Sequence, residues 1–198
     1  MDIRGASATD DPKIIAELIW ETDPEMCAFV FGGRENWRRC CEVEWLAPFG
    51  LHASSCAKVA KLKDRVVGLL IAFPQSEMGA RYAATVARYE KDVGQRMEAV
   101  GWLFPTLPEN SLYVFNLAVS QSLQGQGIGR MLLSSVEEEA QQNGLSAVHL
   151  DVPANSSAVE FYQRVGYTAL TKTELLEPAT NIPPHLRMYK SVGGDGGD

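Results

Sequence analysis

Residues 124–130 read Gln-Gly-Gln-Gly-Ile-Gly-Arg, directly after an apolar run and directly before an amphipathic one. A helix starting at Gly127 leaves its first backbone N–H groups without intrahelical partners, with the positive end of its dipole beside them. Gly125, Gly127 and Gly129 remove side chains that would hold a diphosphate away, so the loop can close around anionic oxygens. Other phosphate motifs do not fit. A nucleotide P-loop needs a Gly-Lys-Ser/Thr ending, and a G-x-G-x-x-G dinucleotide fingerprint would need glycine where Arg130 stands. A plain tight turn is the alternative for the three glycines alone. Downstream, Asp151, Asn155 and Tyr162 supply a carboxylate, an amide and a phenol within twelve positions.

The flanking pattern says what holds these groups. Residues 112–119 (LYVFNLAV) are almost continuously apolar, as in a strand buried on both faces. After the loop, Ile128, Met131, Leu132, Val136 and Ala140 form one helical stripe ending near Asn143-Gly144. A strand over 147–152 follows, then a helix placing Ala158, Phe161, Tyr162 and Val165 together before Gly166. Two further strands are expected, near 167–175 and 185–191. Upstream come a strand at 2–4, a helix from Asp10 or Asp11 with Pro12, and a second helix near 35–46. Strands at 55–62 and 66–73 are separated by the turn-prone Lys63-Asp64. From Met78 through Tyr82, Val86, Tyr89, Val93 and Met97 to Val100, apolar residues recur every three or four positions. This predicts one long helix over 77–100, weakened by Gly94 by about 1 kcal/mol relative to alanine. The fold class is therefore α/β: one domain over 1–190 with a mixed twisted sheet of about six to seven strands. The Gly/Asp-rich 191–198 reads as a flexible tail.

The totals narrow the function. With 198 residues, 45% hydrophobic and 22% charged, the chain can bury a core without disulfides or metals. Its net charge of −7 and lack of a basic run disfavour nucleic acid and suit a cationic partner. No apolar run reaches the roughly 18 residues of a membrane helix, and the polar start is unlike a signal peptide, so a cytoplasmic protein is expected. Cys27, Cys40, Cys41 and Cys56 lack metal-ligand spacing and read as reduced thiols. His52, His149 and His185 are scattered and read as satisfied structural residues rather than ligands, so no metal is expected.

Gln124, Gly127 and Gly129 resemble the Q/R-x-x-G-x-G/A pyrophosphate loop of the GNAT superfamily of acetyl-CoA-dependent N-acetyltransferases. NLAV before the loop, MLLSSVEEEA after it and N-x-x-A-x-x-F-Y-x-x-x-G-Y from Asn155 resemble that family in the same order. The resemblance is specific over 112–167 and weaker over 2–74, and is close to bacterial enzymes that acetylate protein N-termini or small amines. It implies acetyl-CoA as co-substrate, held by the backbone of Leu117, Ala118 and Val119, by Gln124, Gly125, Gln126, Gly127, Ile128, Gly129 and Arg130, and by Asn155. Tyr162 would be the general acid that protonates the departing thiolate and would also touch the cofactor. Many relatives carry an acidic residue where this chain has Phe115-Asn116. Asp151 is the nearest substitute as base, followed by Glu21 or Glu42, and a water chain could also serve. The implied reaction is direct attack by a primary amine in a ternary complex. The alternatives are a nucleotide-dependent enzyme and an acyl-CoA-binding regulatory module without turnover. A homodimer is a further expectation, and the helix at 77–100 is expected to lend Tyr82 or Tyr89 to the acceptor pocket.

Overall fold

The structure, a computed structural model, describes residues 1–101, 107–173, 179 and 181–193. Seven strands form one sheet in the order β1-β2-β3-β4-β5-β7-β6. They are β1 (Asp2–Gly5), β2 (Ala57–Leu62), β3 (Arg65–Pro74), β4 (Ser111–Val119), β5 (Ala147–Pro153), β6 (Thr168–Thr173) and β7 (His185–Ser191). Only β4 and β5 pair in parallel; the other neighbours are antiparallel. The mixed sheet expected from the sequence is thus present. Lys63 and Asp64 both adopt positive φ, giving the two-residue turn that joins β2 to β3.

Among the described residues, seven α-helices cover the two faces. On one face lie α1 (Pro12–Trp20), α2 (Pro24–Phe31), α3 (Arg34–Leu46), α4 (Met78–Val86) and α5 (Lys91–Ala99). On the other lie α6 (Ile128–Gln142) and α7 (Ala158–Arg164). Each face has its own apolar core, which is why β3 is buried on both sides from Val66 to Ile71. Asp11 caps α1 through the Lys13 N–H with Pro12 in the first turn, as the sequence indicates. The α6 stripe is buried except at Met131, which is 46% exposed; Leu133 takes its place in the core.

Two features depart from the sequence reading. The helix α2 was not foreseen, although Asp23-Pro24 caps its start and Gly32, at φ +72°, ends it. It is short and apolar on most sides, so it carries no helical stripe to recognise. The single helix expected over 77–100 is two, α4 and α5, with a corner at 87–90. At that corner Arg88 bonds Glu44 Oε1 and the Phe49 carbonyl, and the Tyr89 ring meets Phe31 edge-on at 5.8 Å. Gly94 has a packing role. A Cβ there would sit 3.3 Å from Val86 Cγ1, so glycine lets α5 fold back against the end of α4. The stripe itself still packs on the core. Val192 and Gly193 bond the Ser146 carbonyl, while 194–198 of the expected tail, 174–178 and 180 lie outside the described residues.

Candidate active site

The site is made where β4 and β5 part. They pair only from Ser111–Ala147 to Val114–Leu150. At that point β4 carries a bulge: Ala72 of β3 faces Val114 and Ile71 faces Asn116, so Phe115 is the extra residue. A bulge bends its strand and increases its twist, which turns the end of β4 away from β5. It also sets two consecutive side chains on one face. Phe115 packs with the core of α1–α5, and Asn116 Nδ2 reaches Thr22 Oγ1 on the same side at 3.1 Å. The Ser120 N–H bonds the Val67 carbonyl of β3. Alternation then directs the backbone groups of Leu117 and Val119 to the opposite edge, into the opening.

The opening is a groove of about 1010 Å³ running between β4, β5, α6, α7 and the α1–α2 side. At one end lie Gln124, Gly125, Gly127, Ile128, Gly129 and Arg130. Gly125 and Gly127 have φ of +76° and +83° with open space where a Cβ would stand, so backbone conformation, not crowding, requires glycine. Gly129 is different: a Cβ there would meet Phe161 at 3.4 Å. Gly127 stands at the N-cap of α6 and no side chain caps that helix, leaving its first N–H groups facing outward. Exposed Arg130 adds a cation beside them. Gln124 Nε2 donates to the Val119 carbonyl at 3.1 Å, tying the loop to the end of β4. The exposed side chains of Gln126 and Asn155 lie outside the lining; Asn155 sits on the turn after β5.

Tyr162 lines the middle of the groove at 7% exposure, its ring edge-on to Tyr167 at 5.7 Å. Burial pushes its phenol well above the ordinary value, so it is a protonated donor throughout the neutral range. Asp151 also lines the groove, but both of its oxygens are engaged. Arg187 grips it through Nε at 3.0 Å and Nη2 at 2.6 Å, and the Tyr113 hydroxyl donates to Oδ2 at 2.7 Å. Glu21 reaches the rim and bonds Arg34 at 3.0 Å; Glu42 is exposed on α3, away from the groove.

The other end of the groove is mainly apolar. Met26, Cys27, Val30 and Phe31 come from α2, and Met97 and Val100 from the end of α5. The expected Tyr82 and Tyr89 are not among the lining residues, because the α4–α5 corner carries both away from the opening. Burial pushes the Cys27 thiol up to about 12, so it is no nucleophile at neutral pH. His52 stands among Trp37 and Phe115 at 5.0 and 5.1 Å, and this burial holds its imidazole at about 4. Asp23 and His185 face each other across this end, Nε2 to Oδ2 at 2.7 Å. Neither was singled out from the sequence as chemistry. Asp23 was hidden with α2, whose Asp-Pro start was the usable signal, and His185 lies 162 positions away. Among the described residues no group of three His, Cys, Asp or Glu side chains is placed to hold a metal ion.

Comparison with known proteins gives consistent findings. The model of the acetyltransferase (GNAT) family matches residues 13–167. The [ribosomal protein bS18]-alanine N-acetyltransferase of Escherichia coli K12 is 31% identical over 117 residues, 56% of this chain and 75% of the relative. An uncharacterized N-acetyltransferase of Bacillus subtilis, YdgE, is 31% identical over 81 residues, 38% of this chain and 50% of the relative. The chain thus spans half the length of one curated relative and three quarters of another. Among solved structures, an N-acetyltransferase from Staphylococcus aureus Mu50 superposes with a TM-score of 0.77 at 17% identity, covering 96% of this chain and 100% of the other. The apo form of an agmatine N-acetyltransferase mutant gives 0.65 at 15% identity, covering 96% and 98%. At such identities the structural likeness speaks for the fold alone.

Proposed function

Because this chain belongs to the acetyltransferase (GNAT) family and is an acetyl-CoA-dependent N-acetyltransferase, we propose that its groove brings acetyl-CoA and a primary amine together for direct attack. The observation that carries this reading is the opening of β4 from β5 in line with an uncapped helix start at Gly127. The pantetheine arm of the cofactor lies along Leu117 to Val119 as an added strand, bonding the backbone groups that β5 leaves unpaired. Its diphosphate sits on the N–H groups of 125–130 with Arg130 nearby. Both the Gln126 and Asn155 side chains are peripheral in this arrangement, and Asn155 reaches the arm only from the rim.

The Leu117 N–H polarises the acetyl carbonyl as negative charge builds on its oxygen. The amine nitrogen forms the new C–N bond, the C–S bond breaks, and the sulfur takes its proton from Tyr162. We assign Asp151 to holding Arg187 and Tyr113 in place, since three donors already engage both of its oxygens. The apolar end formed by α2 and α5 receives the body of the acceptor. An alanine of ribosomal protein bS18 and agmatine, the acceptors named for two similar proteins, both offer an amine for such an attack. No helix among the described residues is long and apolar enough to cross a membrane, and a cytoplasmic location belongs to this proposal.

The test is twofold. Millimolar CoA should raise the melting temperature by mass action. Acetyl-CoA with a panel of polyamines, amino sugars and peptide N-termini should release free thiol. No stabilisation by CoA overturns the cofactor site. Stabilisation with no thiol release on any amine would leave an acyl-CoA-binding module instead.

A further inference from the structure

His185 stands first in β7, paired with Pro153 at the end of β5, and so at the mouth of the opening between the strands. Its Nε2 lies 2.7 Å from Asp23 Oδ2, and the two side chains are 5% and 15% exposed. The other oxygen of Asp23 accepts the Met26 N–H at 3.1 Å and caps α2, so the carboxylate cannot turn away without uncapping that helix. His185 Nδ1 is buried and has no partner among the described residues. Both residues line the groove.

These facts fix the chemistry of the ring. A neutral imidazole has one N–H and one lone pair, and a carboxylate can only accept. Asp23 therefore takes the N–H at Nε2 and leaves the lone pair on Nδ1. A buried acceptor without a partner is costly, and at the mouth of the groove a substrate N–H or a water can supply the partner that Nδ1 lacks. Among the described residues, the other acidic side chains of the groove each pair with an arginine: Glu21 with Arg34, Asp151 with Arg187 and Glu160 with Arg164. His52, the second imidazole of the groove, is made a poor proton acceptor by its aromatic surroundings.

We propose that His185, oriented by Asp23, is the catalytic base that takes the proton from the acceptor ammonium. This rests on the acetyl-transfer reading above. The proton passes from the ammonium nitrogen to Nδ1, directly or across one water. The freed lone pair then forms the C–N bond, the C–S pair departs on sulfur, Tyr162 protonates it, and the surplus proton on the acylated nitrogen returns to the Tyr162 phenolate, directly or across one water. Asp23 stabilises the imidazolium across the same 2.7 Å contact.

Two measurements decide it. In the CoA-saturated enzyme labelled with 15N-histidine, NMR should find His185 protonated at Nε2 and bare at Nδ1. Asp23→Asn keeps an oxygen for the α2 cap but presents an amide N–H₂ to Nε2, so the proton should move to Nδ1. A wild-type ring protonated at Nδ1 overturns the proposal. Kinetically, His185→Gln should lose about 10²- to 10⁴-fold in kcat on a basic primary amine and much less on its β-fluorinated, weakly basic analogue. An unchanged CoA-induced melting shift serves as the folding control. Equal losses on both amines would make His185 structural, and no loss on either would also sink the idea. Absent thiol release by the wild type on any amine would instead be a failure of acetyl transfer, and the NMR result would still stand for or against the dyad.

Discussion

Tyr162 and Asp151 both line the groove, in opposite situations. The phenol is raised by burial alone and no hydrogen bond ties it among the described residues, whereas the carboxylate is bound by Arg187 and Tyr113. A free, protonated donor suits delivery of a proton in the transition state; a carboxylate held by three donors suits architecture. Tyr162→Phe should therefore lower kcat by about 10² to 10⁴ with little change in CoA affinity. Steady-state rates set beside a CoA titration check this. An unchanged kcat, with chemistry shown to limit turnover, would leave the ring a packing role against Phe161 and Tyr167.

At the scale of elements, the anion loop depends on a backbone that only glycine adopts easily. Gly127→Val forces a β-branched residue to φ near +83°, and the left-handed region costs roughly 1–2 kcal/mol for an L-residue. The variant should melt lower and lose most of its CoA-induced shift in a thermal melt. The α4–α5 corner moves the contribution of this segment from tyrosines to Met97 and Val100. Met97→Ala should raise the acceptor KM several-fold while CoA binding is kept; equal KM values for the two enzymes would place the acceptor elsewhere. The corner itself was not legible, because the stripe from Met78 to Val100 runs through it without a break. What interrupts the helix is the reach of Arg88 to Glu44 and Phe49, residues about forty positions back.

For the molecule as a whole, His52 links the groove to stability. Burial holds its imidazole at about 4 in the folded protein, against about 6.5 when unfolded. The folded value is the lower one. Between these values the unfolded chain binds the proton and the folded chain does not, so stability present above about pH 6.5 is lost as pH falls towards 4. The linkage amounts to on the order of 3 kcal/mol. Urea unfolding at pH 7 and pH 4.5 should show this loss in the wild type and a smaller one in His52→Gln; equal pH slopes would refute it. The sequence by itself determined the run from β4 through the glycine loop to α6 and α7, and the family with it. Those signals are local: apolar continuity, glycines ahead of a helix, and stripes of period 3.6 each lie within about fifteen residues. Only the tertiary structure decided where β4 leaves β5, because a bulge at Phe115 is a mismatch in register between two strands and has no mark in either alone. It likewise decided the acceptor end, where Asp23 on a helix start and His185 on a strand start meet only because the sheet order β5-β7-β6 brings the end of the chain back to the groove. Such a contact depends on packing across the whole sheet, and neither residue's neighbours in sequence encode it.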